Sequence, residues 1–452
     1  MDVIYRDAFS RLLTWKENPK HKPVLLRGAR QVGKTTLIRQ FAKRFNCYLE
    51  LNLERADHNK LFQLDDVNSI LDAVLLMLGK TFVPNSTLLF IDEIQENPKA
   101  IQLLRYFYED RLDIHVVAAG SLLEFALNEV PSFPVGRVEY LNLYPLNFKE
   151  FLVGIDHEVA KEKLDEIPLK PHFHEILLKL FHQYAIVGGM PEVVVDYKLN
   201  RSIANLRTYY LNIWQTYKDD VERYSINKSA KNITRFVIDK APFELDRIKF
   251  ANFGGSNYRS REVSEALHAL DLAKIIRLVY PTTNLNLPIL PNLNKSPRLQ
   301  FLDTGLLNHV LNIQGEMIGL NDMSDFHRGK IIQHLVVQEV LSLSEYSVMP
   351  HFWVKESKDS NAEVDLVYPF RNYLIPIEIK SGKTGSLRSL HEFVNKSEHS
   401  FAVRMYAGVF NIEEAITPQG KAFWLMNLPY YLGTKLPEYL AYFFDYCKID
   451  LR

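Results

Sequence analysis

The chain has 452 residues, of which 47% are hydrophobic and 24% are charged, which predicts a soluble globular protein of two to four domains. Lys and Arg total 54 and Asp and Glu total 54, so a strongly basic or strongly acidic protein is excluded and the net charge names no partner. Only Cys47 and Cys447 are present, which excludes a disulfide framework and a cysteine-rich zinc site.

The cell compartment is predicted from what the sequence lacks. The first residues show no signal-peptide pattern, and no apolar segment reaches the roughly 20 residues that a membrane span requires. Two cysteines fit a reducing environment. We therefore expect a cytoplasmic protein with no membrane partner.

From residue 23 to about residue 150, short apolar runs alternate with helical patterns. The runs are PVLL, CYLELNL, STLLFIDE and DIHVVAAGS. Short β-rich runs separated by helices favour βαβ units. The sequence therefore predicts an α/β fold with a parallel sheet, in a first domain over residues 1–160.

The first run leads into a segment that fits the phosphate-loop pattern G-x-x-x-x-G-K-[ST] without a mismatch. The segment comprises Gly28, Ala29, Arg30, Gln31, Val32, Gly33, Lys34 and Thr35, with Thr36 after it. Its glycines allow backbone N–H groups to turn inward and bind an anion at the start of the next helix. Lys34 is expected to reach the β- and γ-phosphates of ATP, and the Thr35 hydroxyl is expected to bind Mg²⁺.

A second element completes the prediction of an ATP hydrolase. The run LLFI ends in Asp92 and Glu93, at the carboxyl end of a predicted strand. An aspartate there can hold Mg²⁺, and the adjacent glutamate can act as general base toward water. The run alone is weak evidence, but with the phosphate loop about 60 residues upstream it predicts a nucleotide site.

Two further candidates lie downstream, each with an alternative that the sequence leaves open. Ser121 follows the run DIHVVAAG and is either a sensor of the γ-phosphate or the N-cap of a helix. Arg137 lies in a Gly-Arg turn and is either a cation for the γ-phosphate, from the same or a neighbouring subunit, or an exposed turn residue.

The order of these motifs resembles a known family. GARQVGKTT, LLFIDEIQ, AAGSLLEF, PVGRVEYLNLYPLNFKEFL and GGMPEVV together are similar to the AAA+-related prokaryotic P-loop ATPases, and more narrowly to those known simply as "ATP-binding protein". The resemblance spans nearly the whole chain. It implies an AAA+-like ATPase core followed by a C-terminal domain of undefined role.

The middle of the chain is predicted to contain two parts. Residues 161–225 read as a helical lid, and residues 226–320 read as a winged-helix-like module, which the resemblance also implies. Residues 201–300 carry 16 Lys or Arg against nine Asp or Glu, which permits contact with phosphates. The candidate DNA contacts are Arg259, Arg261, Lys274 and Arg277. The alternative is an interdomain packing module, because no helix is dense in Arg and Lys.

Residues 321–452 are predicted to form an α/β domain with a helix followed by a β-meander. Asp365, then Glu378 and Lys380, resemble the pattern of the PD-(D/E)XK nuclease fold. Two carboxylates on adjacent strands would share a second Mg²⁺, and the lysine would orient water. Glu339 is a further candidate ligand, although Gln333 stands where the fold often has an acid. The alternatives are an edge strand with outward charges, or a nuclease-like fold that does not cleave and whose site holds nucleic acid or nothing.

Three hypotheses for function follow from these motifs. The first is a Mg²⁺-dependent ATPase whose nucleotide state controls the C-terminal half. The second is a Mg²⁺-dependent DNA nuclease under nucleotide control. The third is a nucleotide-gated switch that turns over little and recruits a protein partner. All three expect ATP and Mg²⁺ as cofactors, and they leave DNA, a protein partner and oligomerisation open.

Overall fold

The computed structural model describes residues 4–64, 66–127, 134–223, 227–314, 325–343, 349–355 and 362–450. The chain divides into two compact units. The first contains the residues up to Pro145 and the short segment Leu272–Ile275, and the second contains Leu146–Asp271 and most of the chain from Ile276 onward. The predicted boundaries at residues 160, 225 and 320 stay predictions.

The first unit is built on a parallel sheet. Its strands are β1 (Val24–Arg27), β2 (Cys47–Asn52), β3 (Thr87–Asp92), β4 (His115–Gly120) and β5 (Glu139–Asn142). Its helices are α1 (Asp7–Glu17), α2 (Lys34–Phe41), α3 (Ala56–Lys60), α4 (Val67–Leu78), α5 (Pro98–Asp110) and α6 (Leu123–Leu127). The strand order is β2-β3-β4-β1-β5 and every pairing is parallel. The predicted α/β fold with a parallel sheet is confirmed.

The burial pattern explains why four of the five strands are visible in the sequence. Every residue of β3 and β4 is buried, as expected for strands that are covered on both faces. β5 is an edge strand in which only Leu141 is buried, so its sequence has no continuous apolar run. The first unit therefore positions the phosphate loop by a sheet whose central strands are the most hydrophobic segments of this region.

The second unit begins with helices and ends with a mixed sheet. Its helices are α7 (Phe148–Gly154), α8 (Glu158–Leu164), α9 (His174–Val187), α10 (Pro191–Asn200), α11 (Arg207–Arg223), α12 (Lys228–Lys240), α13 (Ser260–Leu272), α14 (Thr304–Val310), α15 (Asp325–Ser342), α16 (Arg388–Lys396) and α17 (Leu436–Asp450). Its strands are β6 (Ile276–Val279), β7 (Arg298–Phe301), β8 (His351–Val354), β9 (Glu363–Phe370), β10 (Tyr373–Ile379), β11 (Phe401–Tyr406), β12 (Asn411–Ile416) and β13 (Ala422–Pro429).

The C-terminal sheet is only partly the predicted meander. Its order is β12-β13-β11-β10-β9-β8, and β8, β9 and β10 pair antiparallel as a meander does. β11 instead runs parallel to β10, because α16 carries the chain back before β11 begins. The sheet is therefore mixed.

Between these parts lies a helix pair followed by a β-hairpin. α12 and α13 precede β6 and β7, which pair antiparallel from Ile276 opposite Phe301 to Val279 opposite Arg298. This order is compatible with the winged-helix interpretation, which stays a prediction. In the residues that the structure describes, we find no helix that is both long and apolar enough to cross a membrane.

The motif GGMP has a structural explanation within the second unit. Gly189 N donates a hydrogen bond of 2.6 Å to the buried carboxylate of Asp303, which also caps α14 by accepting from Leu306 N at 2.9 Å. A Cβ on Gly188 would lie 2.3 Å from Asp303 Oδ1, and one on Gly189 would lie 2.1 Å from the carbonyl oxygen of Leu146. The two glycines are thus needed for close backbone packing.

Replacement of one of these glycines tests this packing. We expect Gly189→Ala to lower the free energy of unfolding by about 3 kcal/mol, because the new methyl group meets a backbone oxygen that cannot rotate away. The matched control is Gly329→Ala in α15, where the nearest atom is 4.0 Å away and the loss of a helical glycine favours folding by about 0.5–1 kcal/mol. Chemical denaturation of both variants measures the difference, and equal stabilities would contradict the packing argument.

Candidate nucleotide site

The phosphate loop joins β1 to α2 through backbone angles that require glycine. Gly33 has φ of +95° and is the N-cap of α2, and Gly28 has φ of +157°. A Cβ on Gly28 would lie 2.3 Å from the carbonyl oxygen of Leu143. Ala29 and Val32 are buried and anchor the loop. The loop is therefore held as a turn ahead of a helix N-terminus, the arrangement that binds phosphate.

The remaining residues of this segment either lie toward the surface or, in the case of Lys34, supply the buried positive charge. Arg30 forms an ion pair with Glu54 at 3.4 Å, while Gln31 and Thr36 are exposed. Lys34 is 7% exposed, and its Nζ donates to the carbonyl oxygens of Gly28 at 3.0 Å and Ala29 at 2.9 Å. The ammonium group is therefore enclosed by the loop that precedes it, where a phosphate anion can reach it.

The loop and β3 meet through one hydrogen bond. Thr35 Oγ1 donates to Asp92 Oδ2 at 2.7 Å, and Asp92 is 6% exposed. Burial raises the pKa of the Asp92 carboxyl, and the hydrogen bond from Thr35 opposes this increase. In the sheet, β4 lies between β1 and β3. The hydroxyl and the carboxylate meet because both lie at the carboxyl edge of the sheet.

Glu93 lies directly after Asp92 in a left-handed backbone conformation, with φ of +52°. Its Oε2 accepts a hydrogen bond from Gln95 Nε2 at 2.6 Å and a longer one from Ser121 Oγ at 3.4 Å. The structure thus brings Ser121 to the glutamate. The Gln95 amide and the Ser121 hydroxyl both donate to Oε2 and thereby fix the carboxylate. Oε1 takes no part in these two bonds.

Gln95 is a site residue that the sequence did not single out. It is 8% exposed, and a Cβ on Gly120 would lie 2.4 Å from its Oε1. Gly120, the last residue of β4, therefore leaves room for the amide that holds Glu93. The segment DEIQ contained the glutamine, but the contact with Gly120 depends on how β3 and β4 pair, which the sequence alone does not show.

Arg6 is a second residue that the sequence did not single out. It is 6% exposed, and its guanidinium donates to the carbonyl oxygens of Val32 at 2.8 Å and Tyr144 at 2.5 Å. It thereby ties the phosphate loop to the chain after β5. Its partners lie 26 and 138 residues away, so no local pattern marks it.

The side-chain contact described for Arg137 is with Glu109, not with the phosphate loop. Its Nε lies 2.9 Å from Glu109 Oε1 at the end of α5, and its side chain is 43% exposed. Its predicted role as a cation for the γ-phosphate, in the same or a neighbouring subunit, stays a prediction. An exposed side chain held by one ion pair can be released at little cost.

The C-terminal candidates are brought together in part. Ile379 N donates to Asp365 Oδ2 at 2.9 Å, and Lys380 Nζ lies 2.6 Å from Glu378 Oε1. Burial, followed by the charge of Asp365, raises the pKa of Glu378 to about 8. Gln333 donates to Asp365 Oδ1 at 2.9 Å. Asp365, Glu378 and Lys380 therefore form one cluster on the C-terminal sheet.

Glu339 lies elsewhere in the second unit. It is fully buried, its two carboxylate oxygens each accept from Phe148 N at 3.1 Å, and Tyr184 donates to Oε1 at 2.9 Å. These bonds satisfy the first backbone N–H of α7. Glu339 thus acts on the N-terminus of a helix, and the structure does not bring it to Asp365 and Glu378.

The two predicted metal positions differ in how well their residues fit a divalent cation. At the phosphate loop, the Thr35 hydroxyl and the Asp92 carboxylate lie together, and both supply oxygen atoms of the kind that Mg²⁺ prefers. At the C-terminal cluster, each carboxylate already bonds to an amide or an ammonium group. Among the described residues there is no group of three or more His, Cys, Asp or Glu suited to a metal ion.

Three of the four candidate DNA contacts are engaged in ion pairs. Arg261 lies 2.9 Å from Glu265, Arg277 lies 3.2 Å from Asp271, and Lys274 lies 3.2 Å from Glu124. These pairs reduce the positive charge available to a phosphate backbone.

Comparisons with known proteins agree with the nucleotide site and leave the rest of the chain without a described role. Residues 20–152 match the AAA domain. Residues 178–317 and 328–431 match two domains of unknown function, DUF8612 and DUF4143. The first part of the chain is therefore similar to an AAA domain, as the motifs predicted.

Two curated relatives come from Methanocaldococcus jannaschii. The uncharacterized protein MJ1544 is 27% identical over 261 residues, which are 55% of this chain and 52% of the relative. The uncharacterized protein MJ1637 is 23% identical over 401 residues, 83% of this chain and 78% of the relative. The match thus spans about half the length of the first relative.

Solved structures show distant likeness. The Walker-type ATPase of Pyrococcus abyssi is 13% identical with a TM-score of 0.43, over 69% of this chain and 96% of that chain. A STAND protein with a tetratricopeptide repeat sensor from Pyrococcus horikoshii is 12% identical with a TM-score of 0.26, over 76% of this chain and 47% of that chain. At these TM-scores the likeness supports no conclusion about function.

The role of Gln95 is testable by an isosteric change. Gln95→Met keeps the side-chain volume but removes the donor to Glu93, so we expect the kcat for ATP to fall roughly 10- to 100-fold. Because Gln95 does not contact the phosphate loop, the Kd for ATP should stay unchanged. Steady-state kinetics and nucleotide titration separate the two effects. The control is Gln102→Met in α5, and a Gln95 variant that keeps full kcat would remove Gln95 from the site.

Proposed function

We propose that this protein binds ATP with Mg²⁺ and hydrolyses it at the site formed by the phosphate loop, Asp92 and Glu93. The observation that supports this most directly is the hydrogen bond of 2.7 Å from Thr35 to Asp92, which unites the two motifs on which such chemistry depends. The match of residues 20–152 to the AAA domain agrees with this proposal.

Each residue has a distinct part in the proposed reaction. The backbone N–H groups of the loop and the ammonium of Lys34 bind the phosphates, and Thr35 and Asp92 hold the metal ion. When bound, Mg²⁺ would neutralise charge on the β- and γ-phosphate oxygens. Glu93 accepts a proton from the attacking water, while Gln95 and Ser121 hold its other oxygen.

We further propose that the nucleotide state of the first unit controls what the second unit binds. Residues 178–317 and 328–431 are similar to domains without a described role, so the bound molecule is open. We favour a protein partner over DNA, because Arg261 and Arg277 are already paired with acids on their own module. The third hypothesis, a nucleotide-gated switch, differs from this proposal only in how fast ATP is hydrolysed.

Binding and hydrolysis are separated by two substitutions. Lys34→Ala should weaken ATP binding roughly 100-fold or more, since it removes the buried cation of the loop. Glu93→Gln should keep ATP binding but lower kcat about 10²- to 10⁴-fold, since it removes the general base. Equilibrium titration with a labelled nucleotide and a phosphate-release assay measure these quantities.

The matched control for the first variant is Lys43→Ala, an exposed lysine just after α2. It should behave as the unmodified protein does. If Lys34→Ala binds and hydrolyses ATP normally, the assignment of the site is refuted. If Glu93→Gln changes nothing and the unmodified protein hydrolyses less than one ATP per binding event, the switch hypothesis replaces the hydrolase.

DNA is tested by its effect on turnover. We expect the ATPase rate to be the same with and without single-stranded or double-stranded DNA at near-physiological salt, because paired surface cations release few counterions on contact with phosphates. A stimulation that weakens steeply with added salt, and that is lost in Arg259→Ala but kept in Lys43→Ala, would establish DNA as the partner instead.

A further inference from the structure

The C-terminal cluster contains three acidic and three basic side chains. Ion pairs link Glu363 and Asp365 to Arg247 and Arg298, and Lys380 pairs with Glu378 on the adjacent strand. The acids come from β9 and β10, whereas Arg298 begins β7. The network therefore joins the β6–β7 hairpin to the C-terminal sheet within the second unit.

Arg298 is the central cation of this network. Its guanidinium donates to the backbone oxygen of Asp365 at 3.3 Å, lies 3.6 Å from Asp365 Oδ1, and forms a close ion pair with Glu363. It also stacks over the ring of Phe352 with its centre 4.4 Å from the centroid. Its side chain is 16% exposed. Contacts on several sides fix the guanidinium, and a fixed charge-assisted pair is stronger than a mobile surface pair.

The carboxylate oxygens that a metal ion would need are already used. Asp365 Oδ1 accepts from Gln333 at 2.9 Å, Asp365 Oδ2 accepts from Ile379 N at 2.9 Å, and Glu378 Oε1 bonds to Lys380. Glu378 Oε2 is buried and has no hydrogen-bond partner among the described residues. Mg²⁺ in proteins is usually bound through one or two carboxylates and several waters, so a metal ion here would have to displace the bonds that these carboxylates already make.

We propose that Arg298 is a built-in counter-cation that makes this acidic cluster independent of divalent metal. The nuclease-like arrangement of Asp365, Glu378 and Lys380 then serves to join β7 to β9 and β10 rather than to cleave nucleic acid. A divalent ion entering the cluster would lie beside Arg298 and Lys380, and repulsion between like charges at such short range opposes its binding. This proposal does not depend on the nucleotide site.

The first experiment measures metal binding directly. The full chain carrying Lys34→Ala, without nucleotide, is titrated with Mn²⁺ to millimolar concentration, and free Mn²⁺ is followed by electron paramagnetic resonance. We expect no binding that depends on Glu378, and we expect the same apparent Tm in EDTA and in Mn²⁺. Binding that Glu378→Gln abolishes would overturn the proposal, whatever the other variants show.

The second experiment asks whether removal of the arginine creates the missing site. In the double variant Arg298→Met, Gln333→Glu, a fourth acid replaces the amide and the central cation is gone. We expect this variant to have a lower apparent Tm in EDTA, to regain several degrees in Mn²⁺, and to bind one Mn²⁺ that Glu378→Gln abolishes. If it folds and binds none, the proposal fails.

The matched control is Arg261→Met, which removes an exposed, ion-paired arginine elsewhere in the second unit. It should show no difference between EDTA and Mn²⁺. If Arg298→Met, Gln333→Glu does not fold, Arg298→Lys tests the same idea, since it keeps the charge and should remain indifferent to Mn²⁺. The first experiment decides the question independently of all these variants.

Discussion

The nucleotide site depends on one hydrogen bond, the bond from Thr35 Oγ1 to Asp92 Oδ2. It crosses from the first turn of α2 to the end of β3, although β4 separates β1 from β3 in the sheet. Asp92 accepts a hydrogen bond of 3.1 Å from Glu93 N through its other oxygen, so the same carboxylate also positions the backbone of Glu93, the proposed general base. Loss of this contact would separate the phosphate loop from both acids. The parallel sheet is the means by which it is maintained, since all its strands present their carboxyl ends at one edge.

Much of the first unit was predictable because its signals are local. A buried parallel strand is a continuous apolar run, and the phosphate loop is a contiguous pattern whose glycines have fixed roles. The contributions of Arg6 and Gln95 were not predictable. Arg6 reaches a loop residue 26 positions away, and Gln95 has room beside Glu93 only because Gly120 of β4 lies against it. Edge strand β5 was not recognised in the sequence for a related reason, since a half-exposed strand has no continuous apolar run.

In the second unit the motifs were visible in the sequence, but the roles of their residues were not. The sequence placed Asp365 and Glu378 correctly on neighbouring strands, with Lys380 directly after the second strand. It gave no sign that Arg298, 67 residues before Asp365, would reach them. Glu339 is a candidate third ligand by sequence, but its carboxylate accepts from Phe148 N at the N-terminus of α7. The motif GGMP likewise marks close backbone packing against Asp303. A motif shows which residue types are required, while the tertiary partners determine what they do.

The gap of 2.4 Å between Gln95 Oε1 and the place of a Cβ on Gly120 has an evolutionary consequence. Positions 95 and 120 cannot vary independently: a side chain at 120 demands a shorter residue at 95, and such a residue no longer reaches the glutamate. A side chain at position 120 is therefore expected to release the Glu93 carboxylate from Gln95. Homologues in which the proposed role of Glu93 has been lost should show replacements at both positions, even where both phosphate-binding motifs are intact.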